Sequence, residues 1–286
     1  RTDTMLKDAS DRFKFSLPKT MELAQTLFEL GFITYHRTDS IRVSDYGVNL
    51  AREYIKEEFG EEYFHGRFWG EGGAHECIRP TKNIDPEDLK SLLLSGEIEG
   101  IKEDHLLLYS LIFKKFIASQ MRPLKVKKLK ILIKAMDREI ETEINTEILQ
   151  DGWNKIMYIE LGHKIEGKIN VENRKTLRVL PKSFPYTHGE LVEEMKKKGI
   201  GRPSTYATII KKLIEREYVI EKNNFLYPTE LGKKVYKYLS QKEKIKEFLS
   251  EEFTRELENI MDEVEEGKEN YENILKQLYK KIINIK

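Results

Sequence analysis

Gly31-Phe32-Ile33-Thr34-Tyr35-His36-Arg37-Thr38-Asp39-Ser40 places a tyrosine two residues before an arginine, in a polar stretch directly after a helical pattern ends. The pair suits phosphodiester chemistry. A phenol has an ordinary pKa near ~10 and is a weak nucleophile while protonated, and a neighbouring cation favours the phenolate. Arg37 stays charged and presents a planar fork that matches two phosphate oxygens. In an extended segment residues i and i+2 project to the same side, which would put Tyr35 and Arg37 together. Attack by Tyr35 would give a phosphotyrosine ester and a free hydroxyl on the other end, splitting one hard step into two. It would also conserve the phosphodiester energy, so that resealing needs no nucleotide. A lone Tyr-X-Arg is more often an ordinary aromatic at a junction, so the functional reading depends on the rest of the chain.

Outward from this segment, residues 1 to about 121 read as mainly helical. Ser16 can cap a helix with Pro18 in its first turn and Met21, Ala24, Leu27 and Phe28 at helical spacing. Gly31 stops it. Ser44 starts a second helix through Val48, Ala51, Ile55 and Phe59, closed by Gly60, and a third runs from Glu103 to Met121 along Leu106, Tyr109, Phe113 and Phe116. These stripes are core, not cofactor contacts.

From about Lys125 to Val179 the period changes to two. Leu129, Ile131 and Ile133 alternate with polar residues, and Ile140, Thr142 and Ile144 do so again after a turn near Asp137. Asp151-Gly152 signals another turn, followed by Trp153 and the apolar run Ile156 to Ile159, so an antiparallel meander is expected. Leu180-Pro181-Lys182-Ser183-Phe184-Pro185 reads as a linker. Thr187 and Glu190 then form a capping box, opening a helix to about Lys198. Gly199-Ile200-Gly201-Arg202-Pro203-Ser204-Thr205 is a tight turn, with Ser204 expected to cap a helix to about Arg216. Tyr218-Val219-Ile220 and Phe225-Leu226-Tyr227 flank Asn223-Asn224, a hairpin turn. Helix, turn, helix, hairpin is the order of a winged helix-turn-helix, and Ser250 to Ile285 is helical again with a break at Gly267.

Two further segments carry chemistry. Gly73-Ala74-His75-Glu76-Cys77-Ile78-Arg79-Pro80-Thr81 has a histidine and an arginine four residues apart, able to grip successive phosphates or position one, although a lone histidine is more often structural. In the turn at 199–205, Arg202 lies beside the hydroxyls of Ser204 and Thr205 at a helix N-terminus, where free backbone N–H groups can meet a phosphate. A cap at Ser204 and a phosphate contact can coexist.

The decapeptide at 31–40 resembles the active-site tyrosine motif of type IA DNA topoisomerases. Ala-His-Glu-X-Ile-Arg-Pro-Thr matches a second motif of that family almost residue for residue, and Gly-Ile-Gly-Arg-Pro-Ser-Thr-Tyr-Ala resembles a third, which contacts single-stranded DNA. Phe253-Thr254-Arg255-Glu256-Leu257-Glu258 resembles the family's closing helices, so the likeness covers essentially all 286 residues. His36, and Gly72-Gly73 where many bacterial members have Gln-Glu, favour the reverse gyrase branch. The resemblance implies a multidomain α+β, mainly helical fold. Residues 1–121 would form a helical domain carrying the active-site tyrosine, 122–180 a β-rich arch segment, and 181–286 a winged-helix DNA-binding domain with C-terminal helices. By the same resemblance Tyr35 and Arg37 would be the catalytic residues, and His75, Arg79, Arg202, Ser204 and Thr205 the DNA-binding residues.

Composition sets outer bounds. Charged residues make up 35%, split into 50 basic and 49 acidic for a net charge of +1, so a basic surface requires local segregation. Heavy Lys and Glu usage fits either hyperthermophile surface ion pairs or AT-rich codon bias. The single cysteine, Cys77, excludes an internal disulfide framework and a cysteine-rich zinc site, and reads as packing. No membrane span or signal peptide is apparent, so a soluble cytoplasmic protein is expected. Starting at Arg1, the sequence reads as a piece of a longer polypeptide. The family's Mg²⁺-binding domain is expected N-terminal to Arg1, and Glu61-Glu62 and Glu251-Glu252 look like solvated faces rather than substitutes. No Walker A pattern occurs, so ATP would act only through an absent helicase-like half. The expectation is a tyrosine portion that is incomplete alone and needs that missing half, in cis or on another chain. The alternative is a non-catalytic module that only grips single-stranded DNA.

Overall fold

The computed structural model describes residues 1–70, 75–135, 138–163 and 184–283. In chain order its helices are α1 (Thr2–Phe13), α2 (Leu17–Glu29), α3 (Asp45–Glu58), α4 (Pro86–Leu94), α5 (Glu103–Ser119), α6 (His188–Lys197), α7 (Tyr206–Glu215), α8 (Glu230–Ser240), α9 (Glu243–Lys246), α10 (Glu251–Glu265) and α11 (Tyr271–Ile283). The strands are β1 (Lys125–Ala135), β2 (Arg138–Gln150), β3 (Tyr186–Thr187), β4 (Val219–Lys222) and β5 (Phe225–Pro228). The chain divides into two compact units, one of residues 1–25, 37–39 and 184–286, the other of 26–36 and 40–183. α1 and the first part of α2 thus belong with the C-terminal residues, an arrangement that crosses chain order.

The unit holding residues 26–36 and 40–183 is built on α5, which packs against α3 and α4. Leu108, Tyr109, Phe113 and Ile117 of α5 are fully buried. Their aromatic contacts are edge-on, with Tyr54 of α3 at 4.9 Å from Phe113 and Phe32 at 6.1 Å from Tyr109. Local signals set the ends. Ser44 Oγ accepts from the Gly47 N–H, Asp85 accepts from the Glu87 and Asp88 N–H groups ahead of Pro86, and Gly60 leaves α3 at φ 106.

β1 and β2 form a two-stranded antiparallel ribbon with Leu129 opposite Ile144, Ile131 opposite Thr142 and Ile133 opposite Ile140. Lys128–Glu143 and Lys130–Glu141 ion pairs cross it. The Asp137 turn lies outside the described residues, as do Leu180 to Ser183 of the linker. The apolar run Ile156 to Ile159 forms no strand, and the rest of the expected meander, 164 to 179, lies outside the described residues. After Gly152 the chain makes a short 3-10 turn at Trp153–Lys155, and Gly162 donates its N–H to the Asn145 carbonyl at 2.8 Å. Gly152 is required because a Cβ there would stand 2.3 Å from the Arg122 carbonyl oxygen.

The other unit has its core in Leu6, Leu17, Val192, Met195, Tyr206, Ile210 and Leu226. α1 and α6 approach closely because Gly189 has no side chain; a Cβ there would lie 3.1 Å from Lys7 Cα. Lys196–Asp3 at 2.7 Å and Lys7–Glu193 at 3.1 Å flank that contact. The Thr187–Glu190 capping box is formed in both directions, at 3.2 and 2.8 Å. The β4–β5 hairpin turns on Asn223 and Asn224 at φ 53 and 67, the left-handed pair that a two-residue turn needs. β3 adds to the other edge of β5, giving the order β3-β5-β4. Ile210 is 1% exposed within this core. Ile210→Ala is expected to lower stability by about 2–5 kcal/mol in urea unfolding, through lost burial and the cavity left behind.

Candidate active site

Residues 31–34 and 77–81, almost fifty positions apart, run side by side. Thr34 N–H donates to the Arg79 carbonyl at 2.9 Å, Thr81 N–H to the Phe32 carbonyl at 3.1 Å, and Ile33 bridges Pro80. Thr34 Oγ1 ties the pair twice more, donating to the Cys77 carbonyl at 2.8 Å and accepting from the Arg79 N–H at 3.0 Å. Thr81 Oγ1 donates to the Gly31 carbonyl. Gly31 makes the start possible: at φ 72 it ends α2 and turns the chain into the paired segment.

This pairing brings the first two sequence motifs together. Tyr35 leaves the paired segment 38% exposed, its ring between Phe28 of α2 at 5.4 Å and His75 at 5.4 Å. His36 is fully buried, with its ring 6.0 Å from Phe28 and 5.7 Å from Tyr35. Exposure alternates along the chain: Tyr35 and Arg37 are exposed, His36 and Thr38 buried. Residues 34, 36 and 37 bend rather than form a strand, yet the alternation expected of an extended segment persists.

Arg79 is not placed as the sequence suggested. It is 4% exposed and turned inward. Its Nε and Nη2 donate to the two oxygens of Glu76 at 2.8 and 2.7 Å, and Nη1 to the Pro80 carbonyl at 2.8 Å. Ser44 Oγ donates to Glu76 at 2.8 Å, so the cap of α3 joins the same cluster. Gly47 makes room for it, since a Cβ there would meet Arg79 Nε at 2.7 Å. Sequence reading set Arg79 beside His75 as a phosphate grip. The guanidinium is instead committed to holding segment 75–81, while His75 is exposed. Burial pushes the Glu76 carboxyl up, but the Arg79 and Ser44 hydrogen bonds outweigh it and hold the group below its usual range. Burial pushes the Cys77 thiol up to about 11, which makes it a packing residue and a poor nucleophile.

In the other compact unit, Thr38 is clamped to the start of α1. Thr2 N–H and Oγ1 both donate to the Thr38 carbonyl, at 2.9 and 3.0 Å, and Thr38 N–H donates back to Thr2 Oγ1 at 2.9 Å. The same unit holds the third motif. Thr205, not Ser204, is the residue before α7, and it makes no cap to that helix. Its Oγ1 instead accepts from the Arg202 N–H at 2.8 Å, closing the turn, and Ser204 sits within the turn. Arg202 donates through Nε and Nη2 to Asp262 at 3.2 and 2.5 Å. Sequence reading gave Ser44 only as a helix cap and assigned no role to Thr2, Thr34, Thr38 or Glu76, whose side chains carry no signal until their distant partners are known. Among the described residues, no group of three or more His, Cys, Asp or Glu side chains is disposed to hold a metal ion.

The chain belongs to the DNA topoisomerase family, whose model matches residues 1–276. Within it, the chain is similar to reverse gyrases. It is 59% identical over 281 residues to reverse gyrase 1 of Aquifex aeolicus, covering 98% of this chain and 24% of that protein. It is 48% identical to the Pyrococcus furiosus reverse gyrase, covering 99% of this chain and 24% of that one. Among solved structures, full-length topoisomerase I from Thermotoga maritima matches with a TM-score of 0.78 and 35% identity, over 100% of this chain and 49% of that chain. The chain spans about a quarter of the length of these reverse gyrases.

Removing one partner of a mostly buried ion pair leaves the other unpaired. Glu76→Gln is expected to cost about 1.5–3 kcal/mol at neutral pH. Because the Glu76 pKa is lowered by folding, its contribution is present above the unfolded carboxyl value of ~4.3 and is lost as pH falls through the lower folded value. Urea unfolding at pH 7 and pH 3 is expected to show a wild-type-to-variant gap that is smaller at the second than at the first.

Proposed function

We propose that this chain is the tyrosine-bearing portion of a reverse gyrase-like type IA DNA topoisomerase, which cleaves and reseals one DNA strand and so changes supercoiling. The observation that carries the reading is the exposed Tyr35 beside His75, at the end of a segment locked to the 77–81 motif. The Tyr35 phenol oxygen would attack phosphorus. A tyrosine–phosphorus bond forms as the bond to the leaving sugar oxygen breaks; the phenol loses its proton and the leaving oxygen gains one. Arg37 would hold the charged phosphate oxygens with its fork. His75, next to the Tyr35 ring, would steady the phosphate, and Arg79 would act behind it by holding the segment. Arg202, Ser204 and Thr205 would meet the strand in a winged-helix domain, a reading supported by the α6–turn–α7–hairpin order. The β1–β2 ribbon would belong to the arch between 122 and 180, and the helical domain to residues 1–121.

Mg²⁺ would be supplied by a metal-binding half, and ATP used by a helicase-like half, each in the same polypeptide or on a partner chain. We place the protein in the cytoplasm of a thermophile; no helix among the described residues is long and apolar enough to cross a membrane.

The test is covalent trapping of end-labelled single-stranded DNA with Mg²⁺, by this chain with and without the metal-binding half. A denaturation-resistant adduct is expected only with that half present, lost in Tyr35→Phe and reduced about 10²–10³-fold in Arg37→Ala, the scale of a missing transition-state donor. DNA binding with no adduct, even after complementation, would overturn the catalytic reading and leave a strand-gripping module.

A further inference from the structure

The turn at 199–205 does not present its donors to an open surface. One face of α10 lies along it. Lys198 Nζ pairs with Glu251 at 2.5 Å, and the Arg255 stem runs past Gly199, where a Cβ would stand 3.1 Å from its Cγ and Cδ. Gly201 N–H donates to Glu258 at 3.2 Å, and Arg202 forks onto Asp262 while its Nη1 lies 3.7 Å from Glu258. Residues 251, 255, 258 and 262 recur at spacings of four and three, which is one stripe of a helix. All of these groups belong to a single compact unit.

A carboxylate engaging an arginine fork has the geometry of a phosphate doing so. Gly201 N–H and the Arg202 fork, the donors a strand phosphate would need, are both taken by α10. An incoming phosphate also meets the charges of Glu258 and Asp262 at the same place, and like charges disfavour its entry. Asp262 is half exposed, so its pair with Arg202 is of the weak, solvent-screened kind. Competition of that strength tunes binding rather than abolishing it.

We propose that Glu258 and Asp262 set the affinity of the 199–205 turn for single-stranded DNA, standing in for the backbone phosphate and being displaced by it when the strand binds. This rests on the reading of Arg202 as a strand contact. The same exchange would couple strand binding to release of the α10 edge.

The experiment is fluorescence anisotropy of a labelled oligothymidylate with the 286-residue chain at low ionic strength. Asp262→Asn removes the charge and keeps the shape; Glu258→Gln keeps an oxygen for the Gly201 N–H and provides an independent variant. Each is expected to tighten binding by up to about fivefold, the upper end of a weak ion pair of about 1 kcal/mol converted to affinity. The gain should vanish in an Arg202→Ala background. Glu263→Gln, an equal charge change off the stripe, controls for bulk electrostatics. Unchanged or weaker binding in both variants, or a gain equalled by Glu263→Gln, overturns the proposal. If Arg202→Ala alone leaves wild-type affinity intact, the strand-contact reading itself falls, a separate outcome.

Discussion

The antiparallel pairing of residues 31–34 with 77–81 is the constraint on which the rest of the site depends. Tyr35 and His75 belong to motifs far apart in sequence, and only this pairing sets their rings 5.4 Å apart. Thr34 is its pivot, bonding to both Cys77 and Arg79 through one hydroxyl. Behind it, the Glu76–Arg79–Ser44 cluster anchors the second segment to the start of α3. The nucleophile proposed for this position would need such backing, since a small displacement of a reacting group can cost orders of magnitude in rate. In the other compact unit, Thr38 is fixed to Thr2 by three hydrogen bonds.

Electrostatics gives the two buried or half-buried arginines of the motifs a common condition. Arg79 is neutralised by Glu76, Arg202 by Asp262. The near balance of 50 basic and 49 acidic residues is therefore realised in pairs at the very places where sequence reading expected bare cations. For Arg79 the pair is enclosed and structural; for Arg202 it is accessible and open to exchange. Burial, rather than residue type, separates the two roles.

Much of the fold was legible where local rules act alone. Ser44, Gly31 and Gly60 marked helix ends, the Thr187–Glu190 box opened α6, and Asn223-Asn224 turned the hairpin. Asp85-Pro86 carried an equally local start signal for α4, which sequence reading passed over. Among the described residues the apolar run Ile156 to Ile159 forms no strand, because an apolar run does not by itself distinguish a strand from a loop. Ser204 failed as a cap because Thr205 bonds back to Arg202 and moves the helix start by one residue. The three motifs were legible as motifs, but the contacts that wire the first two together were not. That Arg79 turns inward depends on the absent side chain of Gly47 and on Ser44, more than thirty residues away.

The central claim is that the loop held by this pairing carries the nucleophile. Its most direct test is peptide mapping by mass spectrometry of the trapped adduct, formed with the metal-binding half present, after nuclease and protease digestion. A nucleotide mass on the peptide containing Tyr35, with fragmentation placing it on that side chain, is the expected result. The same mass on another residue, or on the complementing half, would contradict the account.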